Sequence, residues 1–150
     1  MLLRNERKYT TFSLEENSPA LHILQLTMLL FLYSLFESMK KILLVGKQLT
    51  EVPPGLNIKN VQYFAAPDLD TAQQVFERND NAIDIVIMGA GIELEKRLEV
   101  ARYVFNSSNT TTVHMKDPET GPQGFVPFIN SVVSGLLRGN QQSSFSRIDE

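Results

Sequence analysis

Four short apolar runs, at residues 42–46, 61–66, 83–88 and 110–115, leave this chain few ways to fold. Each stops at a turn signal: Gly46, Pro67, Gly89-Ala90-Gly91 and Lys116-Asp117-Pro118. The first three are apolar almost throughout, which is how strands read when both faces are covered. The fourth is threonine-rich and more polar, and is expected at the edge of a sheet. Asp84 falls near the start of the third run and marks strand entry.

Helical spacing fills the gaps. Asp68 is placed to cap a helix beginning at Leu69, with Leu69, Ala72, Val75 and Phe76 on its inner face and Asn79-Asp80-Asn81 as its stop. A second helix is predicted over 92–105, with Leu94, Leu98, Ala101, Val104 and Phe105 inward and Glu93 and Glu95 at its positive end. A third is predicted over 125–137, with Phe128, Val132 and Leu136 at a spacing of four and Gly139 beyond it. The link at 47–60 holds Pro53-Pro54-Gly55 and has no room for a long helix. Strands alternating with helices imply parallel pairing and right-handed crossovers. The expected fold is therefore α/β in three layers, with a four-stranded parallel sheet in the order 2-1-3-4, flavodoxin-like or Rossmann-like. An apolar helix is expected to precede it.

That helix is the second strong feature. No charged residue occurs from Asn17 to Phe36, and 13 of the 17 residues in 20–36 are apolar. Pro19 after Ser18 suits a helix start. Seventeen helical residues reach about 25 Å, short of a hydrocarbon core of about 30 Å. Four readings follow. The segment is a membrane anchor with Lys40 and Lys41 at its cytoplasmic end. It is an uncleaved signal segment. It packs on the domain or on a second copy. Or residues 1–38 arise from a start assigned upstream of Met39. An apolar helix of this size left in water is an association site. Three regions are expected: 1–38, a polar segment and the apolar helix; 39–137, the α/β domain; and 138–150, a polar, mobile tail.

Composition narrows the chemistry. With no cysteine, disulfides, thiolate catalysis, zinc fingers and iron–sulfur clusters are excluded. The two histidines, His22 and His114, cannot form a multi-histidine metal site. A net charge of −3 offers no electrostatic footprint for nucleic acid. No cofactor and no metal are expected. Two Asn-x-Thr/Ser-like stretches at 106–111 match a glycosylation pattern that is common by chance, and nothing else in the sequence supports secretion.

In open parallel sheets, ligands bind beyond the carboxyl ends of the strands, where the connections diverge. That places Lys47, Gly89, Gly91, His114 and Asp117 around one crevice as candidate ligand or anion-binding residues, with Lys116 beside them. Gly89-Ala90-Gly91 leads into a helix whose free amides suit an anion. Leu94 stands where a dinucleotide fingerprint would have its third glycine, and no P-loop pattern is present. The plainer reading makes these glycines a tight turn. His114 is the one candidate for proton transfer, with Asp117 near it; on an edge strand a lone histidine is more often a hydrogen-bonded structural residue. Lys47 suits a phosphate or carboxylate, though such lysines are commonly just solvated.

Residues 39–137 resemble the receiver domains of response regulators, through Lys41-Ile42-Leu43-Leu44-Val45, Ile83-Asp84-Ile85-Val86-Ile87-Met88 and the helices that follow. The resemblance implies a flavodoxin-like fold. Receivers carry a phosphoacceptor aspartate ending the third strand and an acidic pair after the first. Met88-Gly89 and Gly46-Lys47 stand there instead, so phosphoryl acceptance is not implied. The chain is also similar to small bacterial α/β proteins that begin Met-Lys-Lys-Ile-Leu-Leu-Val-Gly, through Met39 to Gly46, Gly89 to Gly91 and His114. That group implies a start near Met39 and no particular activity. The expected function is a non-catalytic binding or protein-interaction module, a homo-oligomer (dimer) in the cytoplasm. The alternative is a small-molecule or anion binder, or an enzyme, using the crevice. Membrane association is expected only through residues 20–36.

Overall fold

The computed structural model of the chain describes residues 18–37 and 39–142. The expectations for residues 1–17, and for 143–150 as a mobile tail, lie outside the described residues. Two units are distinct, residues 1–37 and 38–150.

The first unit holds helix α1 (Pro19–Glu37), which starts at the proline and runs through the uncharged stretch. Leucine, methionine and phenylalanine lose little in helix formation, and no interior glycine or proline interrupts them. The Thr27 hydroxyl donates to the Ile23 carbonyl at 2.7 Å, which keeps it inside the helix's own hydrogen bonding. Among the described residues, no helix is long and apolar enough to cross a membrane.

The second unit is built on strands β1 (Lys40–Val45), β2 (Val61–Ala66), β3 (Ile85–Met88) and β4 (Thr112–Met115). All pairs are parallel, and the order is β2-β1-β3-β4. The sheet is compatible with a flavodoxin-like fold, and the 2-1-3-4 order is the one the alternation predicts. Successive side chains point to opposite faces, so the central strands divide their residues between two cores. Leu43, Val45, Val86 and Met88 meet α2 (Leu69–Arg78) and α3 (Leu94–Ser107) on one face. Ile42, Leu44, Ile85 and Ile87 meet α4 (Phe125–Gln142) and the link residues Leu49, Leu56 and Ile58 on the other. This is the three-layer arrangement expected. β4 is an edge, as its polarity suggests.

The element ends moved for local reasons. β3 begins at Ile85 rather than Ile83, because the Asp84 carboxylate turns to bond the Lys41 amide at 2.9 Å and the Lys40 ammonium at 3.1 Å. β4 begins at Thr112 rather than Thr110. The amides of Thr110 and Thr111 both donate to the Ser108 hydroxyl, and the Thr111 hydroxyl donates to the Ile83 carbonyl at 2.6 Å. Asp68 caps α2 as predicted, accepting from the Thr71 amide at 2.8 Å. That bond holds its carboxyl below the usual carboxylate range. α4 continues to Gln142, past the expected end at Leu137.

One helix is rotated from its predicted phase. On α3 the buried residues are Arg97, Val100, Ala101 and Val104. Leu94, Leu98 and Phe105, expected inward, are 58%, 46% and 62% exposed. Arg97 takes the inner position because its guanidinium reaches the Lys116 carbonyl at 3.0 Å, a partner that β4 supplies. The helix start also moves, from Ile92 to Leu94, with Glu93 as an N-cap that makes no side-chain bond.

Candidate functional site

The carboxyl edge of the sheet is assembled by hydrogen bonds that carry the ladder past the strand ends. The Gly46 amide donates to the Ala66 carbonyl at 3.1 Å, Gly89 to Val45 at 2.8 Å and Lys116 to Met88 at 2.9 Å. The loops after β1, β3 and β4 therefore leave the sheet side by side, as the topology predicts. Lys47 and Gly91 meet there: a side chain on Gly91 would contact the Lys47 Cβ at 3.6 Å. Gly89 is buried, with the Phe125 ring against it; a Cβ there would lie 3.7 Å from the ring. Phe125 opens α4, so the start of the last helix covers the floor of the predicted crevice. Neither Gly89 nor Gly91 has a positive φ; the glycines that do are Gly55, Gly121 and Gly124. The turn at 89–91 thus makes no demand that an L-residue could not meet.

His114 and Asp117 take separate partners. Val113 and Met115 pack toward α2 and α3, so His114 and Thr112 share the opposite face of β4. The His114 Nε2 lies 3.3 Å from the Thr112 hydroxyl. Partial burial lowers the imidazole pKa by disfavouring its charged form. Asp117 turns away to cap the 3-10 turn Pro118–Thr120, accepting from the Glu119 amide at 2.9 Å. The carboxylate orients that turn and not the imidazole.

Two cations at this edge are buried, and the sequence pattern pointed to only one. Arg97 is 3% exposed and Lys116 is 5% exposed. The Lys116 ammonium donates at 2.6 Å to both the Thr120 hydroxyl and the Gly121 carbonyl. Its carbonyl accepts from Arg97, whose Nε has no partner among the described residues. A buried charge is costly unless paired or hydrogen-bonded. Here neutral oxygens do most of that work and leave unspent donor capacity. Arg97 escaped sequence reasoning because arginine on a helix normally reads as surface. Its one signal was position: it sits one turn into the helix that follows the glycine turn.

A cleft of about 320 Å³ opens at the same edge on the α2 and α3 side. Val45, Leu69, Ile92 and Val100 give it apolar walls, and Asp68, Asp70, Lys96 and Glu99 its charged margin. The candidates Lys47, Gly89, Gly91, His114 and Asp117 are not among its lining residues. Comparison with protein-family models, curated proteins and solved structures found no match to this chain.

Proposed function

We propose that the chain is a non-catalytic binding and protein-interaction module on a receiver-like fold, that it associates with copies of itself, and that it works in the cytoplasm of a bacterial cell. The observation that carries this reading is exposed apolar surface. Along α1, Ile23, Leu24, Leu26, Met28, Leu29, Leu30, Phe31, Leu32, Tyr33 and Leu35 are each at least half exposed. A helix that is apolar all round works buried in something, and patches of this kind mark interaction sites. The groups suited to chemistry are already engaged: His114 with Thr112, Asp117 with the Glu119 amide, and Lys116 with Thr120 and Gly121.

Sedimentation equilibrium of the full chain, across the micromolar range, tests the proposal. A mass of two or more chains is expected. A single-chain mass throughout refutes self-association. Attachment to a membrane through residues 20–36 is the competing use of α1. Co-flotation with neutral phospholipid vesicles, in place of association in solution, would favour it.

A second reading rests on Arg97 and Lys116. Two buried cations at the carboxyl edge of a parallel sheet suit a small anion, with Lys47 and Gly91 at the same edge; the Gly89 amide is already given to the Val45 carbonyl. Under this reading inorganic phosphate raises the thermal midpoint more than chloride does at equal ionic strength, and Lys116→Met removes the difference. An equal response to the two salts rules it out.

A further inference from the structure

We infer that β4 and the outer flank of α3 form a two-fold interface with a second copy of the chain, joining two four-stranded sheets edge to edge. The inference rests on the self-association proposed above and assigns a surface to it.

Among the described residues, β4 is hydrogen-bonded on one side only, to β3. The amides of Thr112 and Lys116 donate to Asp84 and Met88. In a parallel ladder alternate residues point their backbone groups to the same side, so the N–H and C=O of Val113 and Met115 face outward. Native sheets commonly blunt such an edge with lysine, proline or a bulge. Thr112-Val113-His114-Met115 contains no lysine or proline.

The exposed apolar side chains of α3 lie beside this edge. The opposite flank of the helix faces α2, through Tyr103, whose ring meets Phe76 edge-on at 5.6 Å. Val100, Val104, Arg97 and Ala101 follow around the helix toward the sheet. The next stripe round is Leu94, Leu98 and Phe105, pointing past β4. Over the other edge strand, β2, the helix α2 has no large apolar residue among the exposed ones. Of the helices over the two edge strands, α3 beside β4 is therefore the one with exposed large apolar residues.

Geometry favours a second copy as the occupant. Antiparallel pairing of β4 with itself uses the outward groups when Val113 of one copy faces Met115 of the other, which puts the two-fold axis at His114. α3 runs antiparallel to β4 and is tied to it at both ends. The Thr111 hydroxyl lies 2.8 Å from the Ser108 hydroxyl, and the Arg97 guanidinium 3.0 Å from the Lys116 carbonyl. Interpolating between these ties, an axis at His114 passes α3 between Ala101 and Arg102. It brings Leu98 of one copy to Phe105 of the other. The spacing agrees. Strands lie about 4.8 Å apart, and a helix seated midway between β3 and β4 is about 4.8 Å from the axis. The two α3 helices then lie about 10 Å apart, at the upper end of the 8–10 Å helix-packing range. One symmetry operation thus satisfies the open strand edge and the apolar stripe together, as a closed two-fold assembly requires.

The test compares the full-length wild type with Val113→Pro and Leu98→Glu by sedimentation equilibrium. Proline at 113 removes an outward N–H that the internal ladder does not use. Glutamate at 98 stands at a partly exposed position, so this variant serves if the first does not fold. A dimer is expected for wild type, with dissociation constants raised at least tenfold in each folded variant. Because the chain has no cysteine, oxidised His114→Cys should also form a covalent dimer. Thr112→Cys should not, its two copies being about 13 Å apart across the axis. A wild type of single chains overturns both this interface and self-association. A dimer unchanged by either folded variant, without the His114→Cys cross-link, overturns this interface alone and leaves self-association standing.

Discussion

The phase of α3 can be tested with two neighbouring residues. Val104 is fully buried and Phe105 is 62% exposed. Val104→Ala deletes two methyl groups from the core shared by α2, α3 and the sheet. At about 0.8 kcal/mol per buried carbon, the transfer loss is about 1.6 kcal/mol. Incomplete collapse of the resulting cavity brings the cost to about 2–3 kcal/mol. Phe105→Ala removes a larger side chain, but only about two fifths of it is covered. Full burial of phenylalanine contributes about 1.5–3 kcal/mol, so the covered share is about 1 kcal/mol or less. The smaller deletion is thus expected to be the more damaging. Urea unfolding, followed by circular dichroism at a protein concentration where chains are single, gives both values from the midpoints at unchanged slope. If Phe105→Ala costs about 3–5 kcal/mol, as a phenylalanine core deletion does, or exceeds Val104→Ala, the phase inferred from spacing was correct and the rotation of α3 is refuted.

Two further outcomes follow from the carboxyl edge and β4. His114 has its pKa lowered by burial in the folded chain, so the unfolded state binds the proton first. Stability should fall as pH drops below about 6.5, and His114→Gln should flatten that slope; an unaltered slope would exclude His114 as its source. Gly91 lacks a positive φ and has room for a methyl group. Gly91→Ala should therefore raise stability by about 0.4–1 kcal/mol through the unfolded chain. A loss of stability in thermal or urea unfolding would show that the turn does require glycine.

Much of the architecture was legible in the residues. Ile42 to Val45 and Ile85 to Met88 are buried from both sides, so burial alone forces every position in them to be apolar. Parallel pairing and the handedness of crossovers then leave few strand orders, and 2-1-3-4 follows. Asp68 could be placed because a cap is a local bond, between its carboxylate and an amide three residues on. The candidate residues were harder. Lys47 and Gly91 do come together, since the ends of adjacent parallel strands must. His114 and Asp117 do not pair, because the turn after β4 gives Asp117 a nearer donor in Glu119.

The sequence by itself determined the strands, the capped helix α2, the apolar character of α1 and the end of the sheet where loops converge. Each follows from local hydrogen bonding or from a periodicity that burial imposes. The tertiary structure alone decided which face of α3 turns inward, which cations lose water and where apolar surface remains beside an open strand. Those outcomes depend on partners distant in sequence. The Lys116 carbonyl draws Arg97 inward, and with it Leu94, Leu98 and Phe105 turn toward solvent. Spacing along one helix cannot register a carbonyl that another strand brings to it.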